Sequence, residues 1–136
     1  MRKYLLEPIG FIRSELKRRK DAPRFYTEGA PNATLEVMPK FKLGLDRMRV
    51  GDEIIVITWL HLARRDILRV HPRGDKSRPL TGVFSTRSPA RPNPLGLHRA
   101  KVLQAERNRL IIGPIEAIDG TPVLDIKSVV EAANDF

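Results

Sequence analysis

Glu53-Ile54-Ile55-Val56-Ile57-Thr58-Trp59-Leu60 is the stretch on which the fold turns. It is β-branched and apolar on both faces, the pattern of a strand buried on both sides at the centre of a sheet. Gly51-Asp52 ahead of it is a turn signal. Outward on the C-terminal side, Ile67-Leu68-Arg69-Val70-His71 reads as its neighbour, and residues 72–81 as a polar loop. On the N-terminal side, Ala33-Thr34-Leu35-Glu36-Val37 alternates like a strand, and Pro8 to Ser14 reads as another. Pro39 to Met48 reads as a short helix with Phe41, Leu45 and Met48 at helical spacing. Leu97 to Glu106 alternates loosely and pairs with Leu110-Ile111-Ile112 across Arg107-Asn108, a weak turn pair beside Asn-Gly. Ile115 to Ile118 and Val123 to Ile126 read as two closing strands around Asp119-Gly120. Many short strands with no βαβ spacing predict an all-β fold, a small closed β-barrel with short helices or loops. Closure would also remove sticky sheet edges.

The composition narrows the function. The chain has 136 residues, enough for one domain over 1–136 and too few for a TIM barrel or a dinucleotide fold with a second domain. Lys plus Arg is 25 against 16 Asp plus Glu, a net charge of +9 that favours anionic partners such as nucleic acid. There is no cysteine, which excludes disulfide scaffolds, Cys-ligated metals and thiol nucleophiles. His61, His71 and His98 are scattered, so no metal is expected. The longest uncharged apolar stretch, Ile54 to Ala63, is ten residues, whereas a membrane-spanning helix needs about 20. The expectation is a cytoplasmic domain without a membrane partner. Gly-x-Gly, Walker A and His-Glu-x-x-His patterns are all missing.

Two segments stand out. Gly82 to Leu97 holds Pro89, Pro92 and Pro94, each fixing its own φ and pushing the preceding residue out of the helical region. The result is a stiff loop presenting Arg87, Arg91 and Asn93, either as a rigid connection or as a preorganised pocket wall. Asp119-Gly120-Thr121-Pro122 reads first as a tight turn. Trp59-Leu60-His61 leaves two readings open, a satisfied histidine at the end of a buried strand or an aromatic edge that flanks an adenine or a sulfonium. Lys17-Arg18-Arg19-Lys20 is either a solvated face or a phosphate-contacting arm.

The run from Gly82 to Leu97, followed by Asp119 to Lys127, resembles the signature of the YaeB-like (TsaA-like, TrmO) β-barrel family. Pro8-Ile9-Gly10, Ala22-Pro23-Arg24, Gly44-Leu45-Asp46, the strand ending at His61, and His71-Pro72-Arg73 match it too, so the resemblance spans about residues 8 to 130. It implies S-adenosylmethionine-dependent methyl transfer to N6 of threonylcarbamoyladenosine at tRNA position 37, by a barrel that is usually a homodimer. It implies a cofactor pocket lined by Ala22, Pro23, Arg24, His61, Leu62, Arg87, Leu97, Asp119, Gly120, Thr121 and Pro122. Arg87, Arg91 and Asn93 would meet the RNA substrate, and His61, Asp119 or a group of the RNA itself would take the N6 proton; the sequence does not rank them. Phe25 stands where the family often has Gln, Leu62 is less polar than expected, and Ser85 replaces a common Ala. Larger bacterial members carry a C-terminal extension, so here tRNA contacts would fall to Lys17–Lys20 and the Arg73–Arg78 loop. The competing expectations are a basic RNA-binding barrel without chemistry and a methyltransferase for another acceptor.

Overall fold

The structure is a computed structural model that describes residues 1–23 and 29–130. Its strands are β1 (Gly10–Arg13), β2 (Ala33–Val37), β3 (Glu53–Trp59), β4 (Arg69–Val70), β5 (Thr81–Gly82), β6 (Leu95–Glu106), β7 (Arg109–Gly113) and β8 (Pro122–Ser128). Six of them close an antiparallel barrel in the order β1-β2-β7-β6-β3-β8, so the all-β barrel expectation holds. The period-two alternation sets the interior. Ile12, Leu35, Val37, Ile54, Val56, Ala100, Val102, Leu110, Ile112 and Val123 all face one buried cluster. A six-stranded barrel has room inside only for side chains, so this cluster is the core and not a channel.

β3 is central as its composition demands. It pairs along its whole length with β6 and, through a bulge at Ile57/Thr58, with β8. β6 is long enough to serve two partners, β3 over Leu95–Lys101 and β7 beyond it, with an irregularity between Val102 and Gln104 where it bends. The weak Arg107-Asn108 turn holds because the neighbouring strand clamps it. Val37 N–H donates to Asn108 O at 2.8 Å, and the Asn108 side-chain amide donates to Val37 O at 2.7 Å. β1 and β2 approach so closely at Gly10 that a Cβ there would lie 2.2 Å from the Glu36 carbonyl oxygen.

Three expectations need correction. Ile67–His71 does not flank β3, since both edges of β3 are taken by β6 and β8. Its Arg69–Val70 pairs instead with Thr81–Gly82 in a separate two-stranded ribbon, which also gives the supposed polar loop its own structure. Ile115–Ile118 is not a strand. β7 and β8 occupy opposite places in the ring, so the chain between them must cross one end of the barrel, and its apolar Ile115 and Ala117 turn into the core as a plug. The other end is covered by the 3-10 helix Pro39–Leu45, with Phe41, Leu45 and Met48 packed on the core. Finally, His61 is not a buried strand end. It lies beyond Trp59 and is exposed.

Candidate functional site

Antiparallel order decides which loops can meet. The C-terminal ends of β1, β3 and β7 and the N-terminal ends of β2, β6 and β8 share one end of the barrel, as the pairs Arg13↔Thr34, Trp59↔Leu95 and Phe11↔Pro122 require. The segments expected to line the cofactor and meet the substrate open at this mouth, whereas Pro8-Ile9-Gly10 and Gly44-Leu45-Asp46 lie toward the other end. Ala22 and Pro23 lie in the β1–β2 connection, His61 and Leu62 follow β3, Arg87 to Asn93 precede β6, and Asp119-Gly120-Thr121 runs from the plug into Pro122 of β8. Arg24 lies outside the described residues.

The proline-rich segment is zipped to the loop after β3. Leu60 N–H donates to Pro94 O at 2.8 Å, and Arg91 N–H to Arg64 O at 3.1 Å. Arg65 donates through Nε to Pro92 O (2.7 Å) and through Nη2 to Asn93 Oδ1 (3.2 Å), while its guanidinium stacks 5.0 Å from the Trp59 ring centroid. The Asn93 carbonyl oxygen is thus already engaged. Arg91 turns inward and donates to the carbonyls of Val83 (2.8 Å), Ser88 (3.0 Å) and Thr86 (3.2 Å). It organises the turn and cannot offer those N–H groups outward. Arg87, at the crest of that turn, is exposed, and no hydrogen bond or ion pair among the described residues engages it.

The Asp119 turn is held from below. Asp119 Oδ1 accepts from Ser14 N–H at 3.0 Å, Oδ2 lies 3.3 Å from Lys17 Nζ, and Asp119 N–H donates to Leu16 O at 2.7 Å. The Ser14 amide, with help from Lys17 and against partial burial, holds this carboxyl below its ordinary value of 3.8. That makes Asp119 a poor proton acceptor and a good staple. Because folding lowers its pKa, it stabilises the fold above the unfolded value and loses that contribution as pH falls through the lowered one. Asp119→Asn is therefore expected to be less stable than wild type at about pH 7, with the gap closing in acid below the ordinary carboxyl range, as read by urea unfolding across pH. Gly120, at φ +82, has open space where a Cβ would stand. Thr121 spends its hydroxyl on Ile118 O at 2.7 Å. A groove of about 600 Å³ opens on the β1–β2 side of this same barrel end, lined by Arg13, Ser14, Lys17, Asn32, Thr34 and Asp119.

Over residues 11–135 the chain matches the tRNA-methyltransferase O N-terminal domain. The chain belongs to the TrmO family. It is 42% identical over 123 residues to an S-adenosyl-L-methionine-binding protein of Archaeoglobus fulgidus, covering 90% of this chain and 87% of that one. It is 41% identical over 128 residues to a probable S-adenosyl-L-methionine-binding protein of Methanocaldococcus jannaschii, covering 91% and 90%. The crystal structure of TrmO from Pseudomonas aeruginosa superposes with a TM-score of 0.78 at 29% identity, covering 99% of this chain and 60% of that one. This chain thus spans about 60% of the length of that solved TrmO.

Sequence reasoning missed two groups at this TrmO-family mouth. Arg65 reads as one more surface cation, and only the fold brings it onto Trp59 and Asn93. The second group lies just inside the barrel, where Leu97 gives way to His98. Leu97 is 40% exposed, whereas His98, in step with Gly96, Ala100 and Val102, faces inward and is 4% exposed. The inward alternation of those small residues was the available signal.

Proposed function

We propose that this chain is an S-adenosylmethionine-dependent tRNA methyltransferase that N6-methylates threonylcarbamoyladenosine at position 37, beside the anticodon. The observation that carries this reading is the meeting of four matched segments at one barrel mouth, around Arg87, a cation that no hydrogen bond or ion pair among the described residues engages. TrmO-family membership and relatives named for binding S-adenosylmethionine support it.

The residues present suit this cofactor chemically. Half-buried Trp59 and Leu60 and the partly exposed Leu95 and Leu97 offer apolar surface for an adenine. The Asp119-Gly120-Thr121 turn, with open space at Gly120, lets backbone come close to a ligand. Ala22, Pro23, Arg24, His61, Leu62 and Pro122 would complete the lining. The cofactor supplies an electrophilic methyl group on a sulfonium. The protein's part is to hold the acceptor nitrogen in line with it. Arg87 would grip the threonyl carboxylate or an anticodon-loop phosphate, since a guanidinium pairs bidentately with either. Arg91 and Asn93 would serve that grip by shaping the turn and its anchor. With Asp119 committed to Ser14 and Lys17, exposed His61 is the better acceptor for the N6 proton.

Position 37 lies in a single-stranded loop, which a basic mouth can reach without opening a duplex. The +9 charge and the cations Arg13 and Lys17 along the flanking groove suit an RNA backbone. Such a substrate points to the cytoplasm. A homodimer belongs to this reading as well, because Leu62, Leu68, Leu80 and Phe84 are all exposed between β3 and β6, and apolar surface of this kind is suited to a partner.

Calorimetric titration with S-adenosylmethionine is the test. Saturable binding, followed by methylation of tRNA that carries the threonylcarbamoyl group and none of tRNA lacking it, is expected. Binding of RNA with no cofactor binding would replace this reading with an RNA-binding barrel that has no chemistry.

A further inference from the structure

We infer that Glu116, acting through His98 and Thr58, is a positioning residue for the cofactor end of the barrel, an inference that rests on the function proposed above. Inside an otherwise apolar barrel, three polar side chains form a continuous chain. Thr58 Oγ1 lies 2.7 Å from His98 Nε2, and His98 Nδ1 lies 2.5 Å from Glu116 Oε1. A carboxylate at Glu116 accepts from Nδ1–H, which leaves Nε2 to accept from the Thr58 hydroxyl. The order of groups is that of a nucleophilic triad. Thr58, however, is 0% exposed, so no substrate reaches its oxygen. The chain transmits position and performs no chemistry.

What it positions follows from where its members sit. Thr58 is three residues before His61, His98 directly follows Leu97, and Glu116 is three residues before Asp119. One internal linkage therefore ties together β3, β6 and the plug, which are the supports of three of the segments proposed to hold the cofactor. The plug needs such a tie. It crosses the barrel end without strand partners, and its Asp119 end is otherwise fastened to the Ser14–Leu16 side.

Folding alone does not account for this layer. Glu116 Oε2 is buried without a hydrogen-bond partner among the described residues, an arrangement that costs stability. The layer also requires a glycine. A Cβ at Gly96 would fall 2.4 Å from Thr58 Oγ1 and 2.7 Å from His98 Nε2. Apolar side chains of matching volume would fill the same space without an orphaned oxygen. A polar layer kept against that alternative is explained by the work of the mouth above it.

The test compares the full chain with its Thr58→Val/His98→Leu/Glu116→Leu variant. We expect the variant to melt at or above the wild-type temperature, to bind S-adenosylmethionine about tenfold more weakly, and, without ligand, to lose hydrogen-exchange protection at residues 118–121. A merely structural layer gives the opposite pattern, a lower melting temperature with unchanged affinity and exchange. Should that variant fail to fold, Glu116→Gln and Glu116→Ala decide. Gln keeps an oxygen facing His98 and is expected to stay within about twofold of wild-type affinity, whereas Ala loses about tenfold. Wild-type affinity and exchange in every folded variant overturns the inference. Failure of the wild-type protein to bind S-adenosylmethionine overturns the proposed function instead, and the exchange comparison still reads the positioning role.

Discussion

Arg87→Ala is expected to lower kcat/KM for methyl transfer by about 100-fold, the loss of roughly 3 kcal/mol that follows when a buried or liganded charge is left without its guanidinium partner. The fold should survive, because Arg87 is exposed and braces nothing among the described residues. The melting temperature is therefore expected to match wild type, with the defect confined to turnover and ligand affinity. Arg91 provides the contrast. Its guanidinium holds three carbonyls of the turn, so Arg91→Ala should loosen the turn that carries Arg87 and destabilise the protein as well. Wild-type turnover by Arg87→Ala, measured on tRNA bearing the threonylcarbamoyl group, would remove Arg87 from the site.

Gly10→Ala is expected to produce the largest loss of stability from a single added methyl group. The new Cβ would stand 2.2 Å from Glu36 O and 3.0 Å from Val37 Cα, both of them backbone atoms of the paired strand. Backbone cannot rotate away as a side chain can. Either β1 separates from β2 or the barrel opens beside it, at a cost of about 3 kcal/mol. For a domain of this size that corresponds to a fall in melting temperature of roughly 10 °C. Gly44→Ala is the control, since nothing lies near a Cβ there, and it is expected to melt within a degree or two of wild type. A Gly10→Ala protein as stable as that control would show that β1 and β2 tolerate a wider spacing.

The fold was legible where side-chain period and strand coincide. Ala33–Val37 alternates and is a strand with those very limits, and the apolar run of β3 is central because both its edges are paired. It was illegible where apolar composition serves a purpose other than pairing. Ile115, Ala117 and Ile118 have the residues of a strand, yet ring order sends them across the barrel end, and that is a property of closure rather than of local sequence. The ribbon of β4 and β5 was hidden for a related reason, since nothing local to Ile67–His71 shows that β8 returns to take the remaining edge of β3. At the mouth, residue types identified the loops but not the direction of their side chains. Arg87 and Arg91 lie four positions apart in one stiff turn, and only the hydrogen bonds separate the exposed cation from the brace. Asp119 has the chemistry of a base, and only its contacts with Ser14 and Lys17 show it to be a staple.

Gly10 and Val123 are register partners, as are Ile57 and Asp125, so β8 is the closing stave for two strands made long before it. A chain emerging from the ribosome therefore carries the free edges of β1 and β3 until residues 122–128 have been synthesised. Contacts of such long sequence separation slow folding and extend the time during which those edges can pair with a neighbouring nascent chain. A polysome making this protein would benefit from a chaperone that covers β3 until β8 arrives, and slow translation upstream of residue 122 would lengthen that vulnerable interval.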